Sequence, residues 1–194
     1  VAGVLDALGV ERAIVVGNSL GVMVALAFYR MFAERVLALG LLCGRTVADD
    51  VQGARARNEL AASVERDGTA ALLDRYGEQL FSPAFLEERP DVVARAATMI
   101  ERYDPRGAAA VLRGMALRLD SGDLLGEIDV PVRVIAGSGD RFVPVSEMRE
   151  IAAAIGGAPL DVLACGHVPA LEAPRELAAL LMQLVDVVRS RANA

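Results

Sequence analysis

Gly17-Asn18-Ser19-Leu20-Gly21 decides the architecture of this 194-residue chain. Arg12-Ala-Ile-Val-Val-Gly17 precedes it, a short β-branched run ending in glycine, the pattern of a buried parallel strand. Leu20 to Arg30 follows and is apolar all round, which predicts a buried helix. A serine between such a strand and such a helix sits on a tight turn. The turn lifts its hydroxyl above the sheet edge, and the flanking glycines leave room for the close approach. The helix N-terminus favours negative charge, so the Leu20 backbone N–H can donate to a developing oxyanion. The pentapeptide fits G-x-S-x-G. It is neither a dinucleotide-binding G-x-G-x-x-G nor a P-loop, since no Lys-Ser/Thr pair follows. The plainer reading is a glycine-rich turn that binds an anion or nothing.

Outward from this turn the chain alternates strand and helix. Val1, Val4, Leu5 and Leu8 form a helical stripe closed by Gly9, with no start signal before it. Val36 to Leu42 reads as a second buried strand. In the last third, Val130 to Ala136 and Leu160 to Ala164 read as strands. Met148, Ile151, Ala152 and Ile155 line a helix that stops at Gly156-Gly157. A final helix starts near Pro174 with Leu177, Leu180, Leu181, Leu184, Val185 and Val188 on one stripe. Alternating β and α predicts a parallel sheet with helical crossovers. Residues 46–126 contain no convincing strand. Ser82-Pro83 and Asp104-Pro105 each place a capping residue before a first-turn proline. The expected organisation is an α/β core from 1–45 and 127–194, with a helical insertion at 46–126.

A serine hydroxyl needs a base to take its proton. The chain has one histidine, so a Ser–His mechanism must use His167, in Cys165-Gly-His-Val-Pro-Ala-Leu-Glu172 after the last strand. A third group must orient the histidine and stay ionised. Asp140, in Gly137-Ser-Gly-Asp-Arg-Phe-Val-Pro144, follows the Val130–Ala136 strand and is the candidate. Taken alone it also fits an Asx turn in a glycine-rich loop. Ser19, Asp140 and His167 each stand just past an expected parallel strand, where open α/β sheets place their sites. Asn18, Phe142 and Val168, beside these residues, are candidate pocket residues.

Composition excludes several function classes. With 26 Asp and Glu against 20 Lys and Arg, the net charge is −6, opposite to the footprint of a nucleic-acid binder. Two cysteines, Cys43 and Cys165, build no disulfide framework and fit a reducing, cytoplasmic compartment. With a single histidine they make no usual zinc set, so no metal is expected. The apolar stretch Val36 to Gly44 is too short to span a bilayer. Met23, Met99, Met115, Met148 and Met182 read as core fillers, and Cys43 as a buried, inert thiol. Arg102, Arg113 and Arg118 in the insertion read as solvated charges, with a substrate carboxylate as the sharper alternative.

The motifs GNSLG, GSGDRFVP and CGHVPALEAP, in the chain order Ser, Asp, His, resemble the α/β-hydrolase family. The resemblance covers nearly the whole chain and implies a parallel-sheet fold with a helical cap inserted where residues 46–126 fall. It implies Ser19 as nucleophile, Asp140 as acid and His167 as base, with no cofactor. Cap length and GHVPALEAP are similar to 3-oxoadipate enol-lactonases and related small carboxylic-ester hydrolases. Three departures stand out. The family's early strands, with the loop supplying a second oxyanion donor, are not in this sequence. The chain therefore resembles an N-terminally truncated member lacking about 80 residues. Val22 replaces a glycine common after the turn, which is expected to loosen helix–strand packing. Asn18 replaces a frequent histidine, as in C–C bond hydrolases of ring-cleavage products, although those carry Trp where this chain has Val168.

The expected activity is hydrolysis of a small-molecule ester or lactone without cofactor, nucleic acid or membrane. A C–C bond hydrolase and a non-catalytic ligand-binding protein on the same fold are the alternatives. One missing oxyanion donor costs about 10²–10³ in rate, so this chain alone is expected to be weak or inactive. An exposed nucleophile strand would also invite pairing with a second copy as a homodimer.

Overall fold

The computed structural model describes residues 1–193. Helix α1 (Ala2–Ala7) leads into strand β1 (Ala13–Asn18), helix α2 (Leu20–Phe32) and strand β2 (Val36–Leu42). Gly9 takes φ 64° just past α1, the left-handed position the sequence pattern asks for. The stripe on α1 is not buried as a whole: Val1, Val4 and Leu8 are exposed, and only Ala2 and Leu5 reach the core.

Between β2 and the third strand come α3 (Val51–Asp67), α4 (Ala70–Tyr76), a 3₁₀ turn at Gly77–Leu80, α5 (Pro83–Glu88), α6 (Pro90–Glu101), α7 (Pro105–Ala116) and α8 (Gly122–Leu125). Their starts follow the expected chemistry. The Ser82 hydroxyl accepts from the Phe85 N–H, and the Asp104 carboxylate accepts from the Arg106 and Gly107 N–H groups. Helices α3 and α7 close a small core of their own from Ala61, Val64, Ala109 and Leu112. The chain then returns through β3 (Val132–Gly137), α9 (Val145–Ala154), β4 (Leu160–Leu163), α10 (Pro169–Glu172) and α11 (Pro174–Ala192). Strand β3 starts after Pro131, which has no N–H to donate but whose carbonyl accepts from the Leu39 N–H at 2.9 Å.

The four strands are all parallel, in the order β1-β2-β3-β4. Alternate residues of a strand face opposite sides, and the two faces are covered differently. Leu39, Leu41, Val134 and Ala136 join Val22, Leu26, Met148 and Ile151 of α2 and α9 in the main core. Leu42 and Ile135, one residue out of phase, pack instead under Leu177 of α11. The result is a three-layer α/β/α sandwich. Register aligns Asn18 with Leu42, Leu42 with Ile135 and Gly137 with Leu163, so the C-terminal strand ends lie side by side. Among the described residues β1 pairs with β2 alone, and Val16 on it is 44% exposed.

Three packing expectations need correction. Helix α2 is apolar in sequence but not buried all round: Val24 and Met31 face outward, because the sheet covers only one side of it. Val22 loosens nothing. It is fully buried, and Gly44 makes the room, since a methyl group at residue 44 would lie 2.4 Å from Val22 Cγ2. Of the methionines only Met148 is core; Met99 and Met182 are exposed, while Met23 and Met115 line a cavity.

The two glycines flanking Ser19 are also not equivalent. A methyl group at residue 17 would lie 2.1 Å from the Gly21 carbonyl oxygen and 2.6 Å from the Val22 nitrogen, whereas one at residue 21 meets nothing within 4 Å. Gly17→Ala is therefore expected to cost more than about 3 kcal/mol and lower the melting temperature by at least about 6 °C. Gly21→Ala should stay within about 1 kcal/mol of the parent. Thermal unfolding of both variants checks this, and equal melting temperatures would refute the asymmetry.

Candidate active site

Ser19 caps α2 with φ 54° and ψ −114°, a backbone conformation that a residue with a side chain adopts only when its surroundings impose it. Its N–H donates to the Leu42 carbonyl at 2.9 Å, and its carbonyl accepts from the Val22 N–H at 3.0 Å. No acceptor among the described residues takes the Leu20 N–H, which stands free at the first turn of α2.

Asp140 lies in the loop between β3 and α9, and its side chain is wholly inaccessible to solvent. One carboxylate oxygen accepts from the Phe142 and Val143 N–H groups at 2.8 and 3.1 Å; the other meets His167 Nδ1 at 2.8 Å. The Asx turn and the histidine partner, which compete as readings of the sequence, are both present and use different oxygens. Burial pushes the Asp140 carboxyl up, but the bond and charge of His167, with the two amides, outweigh it, so its pKa is lowered. The His167 ring is also flanked edge-on by Phe142, at 4.8 Å between centroids, and Phe142 in turn by Tyr76 of α4 at 5.8 Å.

Asn18, Ser19, Leu20, Phe142, His167 and Val168 all border one cavity of about 590 Å³ at the C-terminal ends of the strands. A second cavity, of about 430 Å³, lies at the opposite end of the sheet by Arg12, Leu37 and Pro131, far from these groups. No hydrogen bond joins Ser19 to His167 among the described residues; such contacts often tighten only around a substrate. The Asn18 amide is engaged, donating to the Leu42 and His167 carbonyls at 3.2 and 3.1 Å, so it ties the histidine loop to the ends of β1 and β2. Cys43 is buried with φ 45°, and burial pushes its thiol far up, which keeps it protonated and inert.

The insertion contributes the far wall, mostly apolar through Leu60, Leu72, Ile100 and Leu112, with Arg57, Asp49 and Arg75 as its charges. Asp49 is gripped by Arg57 and by Arg118, the latter at 2.6 Å, so two guanidiniums share one carboxylate. Arg118 also donates to the Val47 and Met115 carbonyls and is fully used as a strut; Arg113 pairs on the surface with Glu65, and Arg102 is exposed. Arg57, which sequence patterning did not single out, is the arginine of this cluster that borders the cavity. Its partner stands eight residues earlier in an irregular segment, a spacing with no periodic signature. No group of His, Cys, Asp and Glu suited to a metal ion occurs among the described residues, and no helix there is long and apolar enough to cross a membrane.

Burial raises the Asp49 carboxyl, but Arg118 and Arg57 outweigh it and bring it to about 2. A carboxyl held lower in the folded chain than in the unfolded one, where it titrates near ~3.9, adds stability above that pH. The contribution is lost as the pH falls from about 4 towards about 2. Asp49→Asn should therefore be clearly less stable than the parent in urea at pH 6, with the difference narrowing below about pH 4 and closing only below about pH 2. A difference independent of pH would show that the carboxylate is not ionised between its two arginines.

The profile of the family described as "Alpha/beta hydrolase family" matches residues 1–180. A 2-hydroxy-6-oxononadienedioate/2-hydroxy-6-oxononatrienedioate hydrolase of Burkholderia vietnamiensis is 32% identical over 175 residues, covering 86% of this chain and 59% of that one. 3-oxoadipate enol-lactonase 2 of Acinetobacter baylyi is 25% identical over 175 residues, covering 90% of this chain and 64% of its own length. The chain thus spans less than two thirds of these curated relatives. Among solved structures, a thermophilic esterase from Thermogutta terrifontis, with malate bound, is 30% identical at a TM-score of 0.94, covering 96% of this chain and 70% of that one. With the parallel sheet, the Ser19 turn and a profile match over most of its length, this chain belongs to the alpha/beta hydrolase family.

Proposed function

We propose that this protein is a serine hydrolase of small carboxylic esters or lactones, with Ser19, His167 and Asp140 as its triad and residues 46–126 as a cap over the substrate. One observation carries the reading: a strained serine borders the same cavity as a histidine held by a buried carboxylate. His167, with Asp140 fixing its Nδ1 proton, takes the Ser19 hydroxyl proton through the other ring nitrogen as the oxygen attacks the carbonyl carbon. The Leu20 N–H stabilises the resulting oxyanion. The tetrahedral adduct collapses, the alkoxide leaves with the proton from His167, and an acyl-serine remains. Water, deprotonated by the same imidazole, then releases the carboxylic acid and restores Ser19. No cofactor enters the cycle.

The cavity wall adds a preference. Arg57 and Arg118 against Asp49 leave one net positive charge at the cap side, and Arg75 adds another to the cavity lining. An acyl group carrying its own carboxylate would meet Arg57 on the cavity wall. A second reading is supported by the hydrolases of 2-hydroxy-6-oxo dienedioates among the relatives and by Asn18. It uses the same triad to cleave a C–C bond, and Val168 in place of an aromatic residue speaks against it.

Labelling with a fluorophosphonate probe is expected for the parent and should vanish in Ser19→Ala; Asp140→Asn should lower kcat for a p-nitrophenyl ester by about 10⁴. Absence of labelling, with ligand binding intact in Ser19→Ala, would instead establish a binding protein. Faster turnover of a ring-cleavage dienoate than of any ester would favour the C–C reading. Arg57→Met should raise KM for a hemiester of a dicarboxylic acid by about tenfold or more while leaving a neutral ester unchanged. Equal effects on both esters would remove the charge preference.

A further inference from the structure

The single turn of α10 brings the Glu172 side chain back onto the loop that holds His167. Glu172 Oε1 accepts the Gly166 N–H at 2.9 Å. Its other oxygen accepts both the N–H and the hydroxyl of Ser82, at 3.1 and 2.6 Å, across a separation of 90 residues. Ser82 in turn is wedged between the two loops that flank the site. A methyl group at Gly166 would lie 2.5 Å from the Ser82 nitrogen, and one at Gly139 would lie 3.1 Å from Ser82 Cβ. Gly139 immediately precedes Asp140, and Gly166 immediately precedes His167. The next N–H in the chain, that of His167 itself, donates to the Leu80 carbonyl at 3.0 Å.

Both peptide N–H groups leading into the histidine therefore end on partners outside their own loop: one on Glu172, the other on the insertion. Both residues are buried, so either N–H without its partner would be a buried donor left unsatisfied. Three donors converge on one side chain here, and a carboxylate meets them all. An amide of the same shape offers a single oxygen and sets an N–H donor against one of the backbone donors.

We infer that Glu172 is a positioning residue for His167: its carboxylate locks the histidine loop to Ser82 of the insertion and so fixes the imidazole against Asp140. This rests on the reading of His167 as the base, but the geometric part can be tested without turnover. Because the imidazole is borne by the one histidine of the sequence, its Nδ1–H and Cε1–H resonances are unambiguous in a proton–nitrogen and proton–carbon NMR experiment. The expected result for Glu172→Gln is a broadened or split imidazole signal and an Nδ1–H that exchanges with water at least about tenfold faster. The same variant should lower kcat for a p-nitrophenyl ester by about ten- to a hundredfold with KM within about twofold, since misplacing a base by about an ångström costs about that much.

Ser82→Ala keeps the backbone donor and loses the hydroxyl, with its bond to Glu172 and its cap on the Phe85 N–H. It should lower kcat by about threefold with a smaller change at the imidazole, and it carries the test if the glutamine variant does not fold. An imidazole signal and a kcat equal to the parent's in both folded variants would overturn the inference while leaving the hydrolase reading intact. An imidazole that responds to Glu172→Gln in a protein that turns over no ester would support the lock and count against the catalytic role of His167.

Discussion

The backbone of Ser19 is held at φ 54° and ψ −114°, and a large part of the molecule serves to hold it there. Such a conformation costs on the order of 1–3 kcal/mol and relaxes unless neighbours over-determine it. They do so here from three directions. The Leu42 carbonyl receives the Ser19 N–H, which pins the turn to the end of β2. Gly17 lets α2 descend until the Gly21 carbonyl almost touches its α-carbon, and buried Val22 wedges the first turn of α2 against Gly44. The parallel register that places Asn18 beside Leu42 is thus a condition of the site as well as of the sheet.

Held in this way, the turn sets what the other loops must do. His167 approaches the Ser19 turn from the far end of the same sheet edge, three strands away. The chain achieves this with close backbone approaches and a few side-chain ties. Gly137 sits where a methyl group would lie 2.2 Å from the Gly166 carbonyl, so the loops after β3 and β4 run in direct contact. The Gly139 N–H donates to the Cys165 carbonyl at 2.9 Å, and the Asn18 amide reaches across to the His167 carbonyl. Asp140 divides its oxygens between its own loop and the imidazole, so the group that orients the histidine is itself oriented by two amides.

Much of this was legible in the sequence because it is local. A β-branched run ending in glycine, a serine and an apolar helix give strand, turn and helix wherever they occur, and four parallel strands were expected near the four that form. The start signals at Ser82 and Asp104 likewise needed only their own neighbours. What was not legible depends on long-range partners. The burial of α2 on one side only follows from where the sheet lies, and the acceptance of Val22 follows from Gly44, twenty-two residues on. Arg57 was missed and Arg118 misjudged for a related reason. A guanidinium on a helix looks solvated until the chain folds a carboxylate such as Asp49 beneath it.

The insertion supplies both the wall of the cavity and part of the support for the histidine, and these two tasks constrain each other. Its own core, between α3 and α7, is small and separate from the main core, which the insertion joins only at its end through Leu124 and Leu125 of α8. Polar ties join its middle to the histidine loop, through Leu80 and Ser82. A displacement of α4 and the following turn would therefore move Tyr76 off Phe142 and draw the Leu80 carbonyl away from the His167 N–H together. The apolar wall of the cavity is in this way coupled mechanically to the placement of the imidazole.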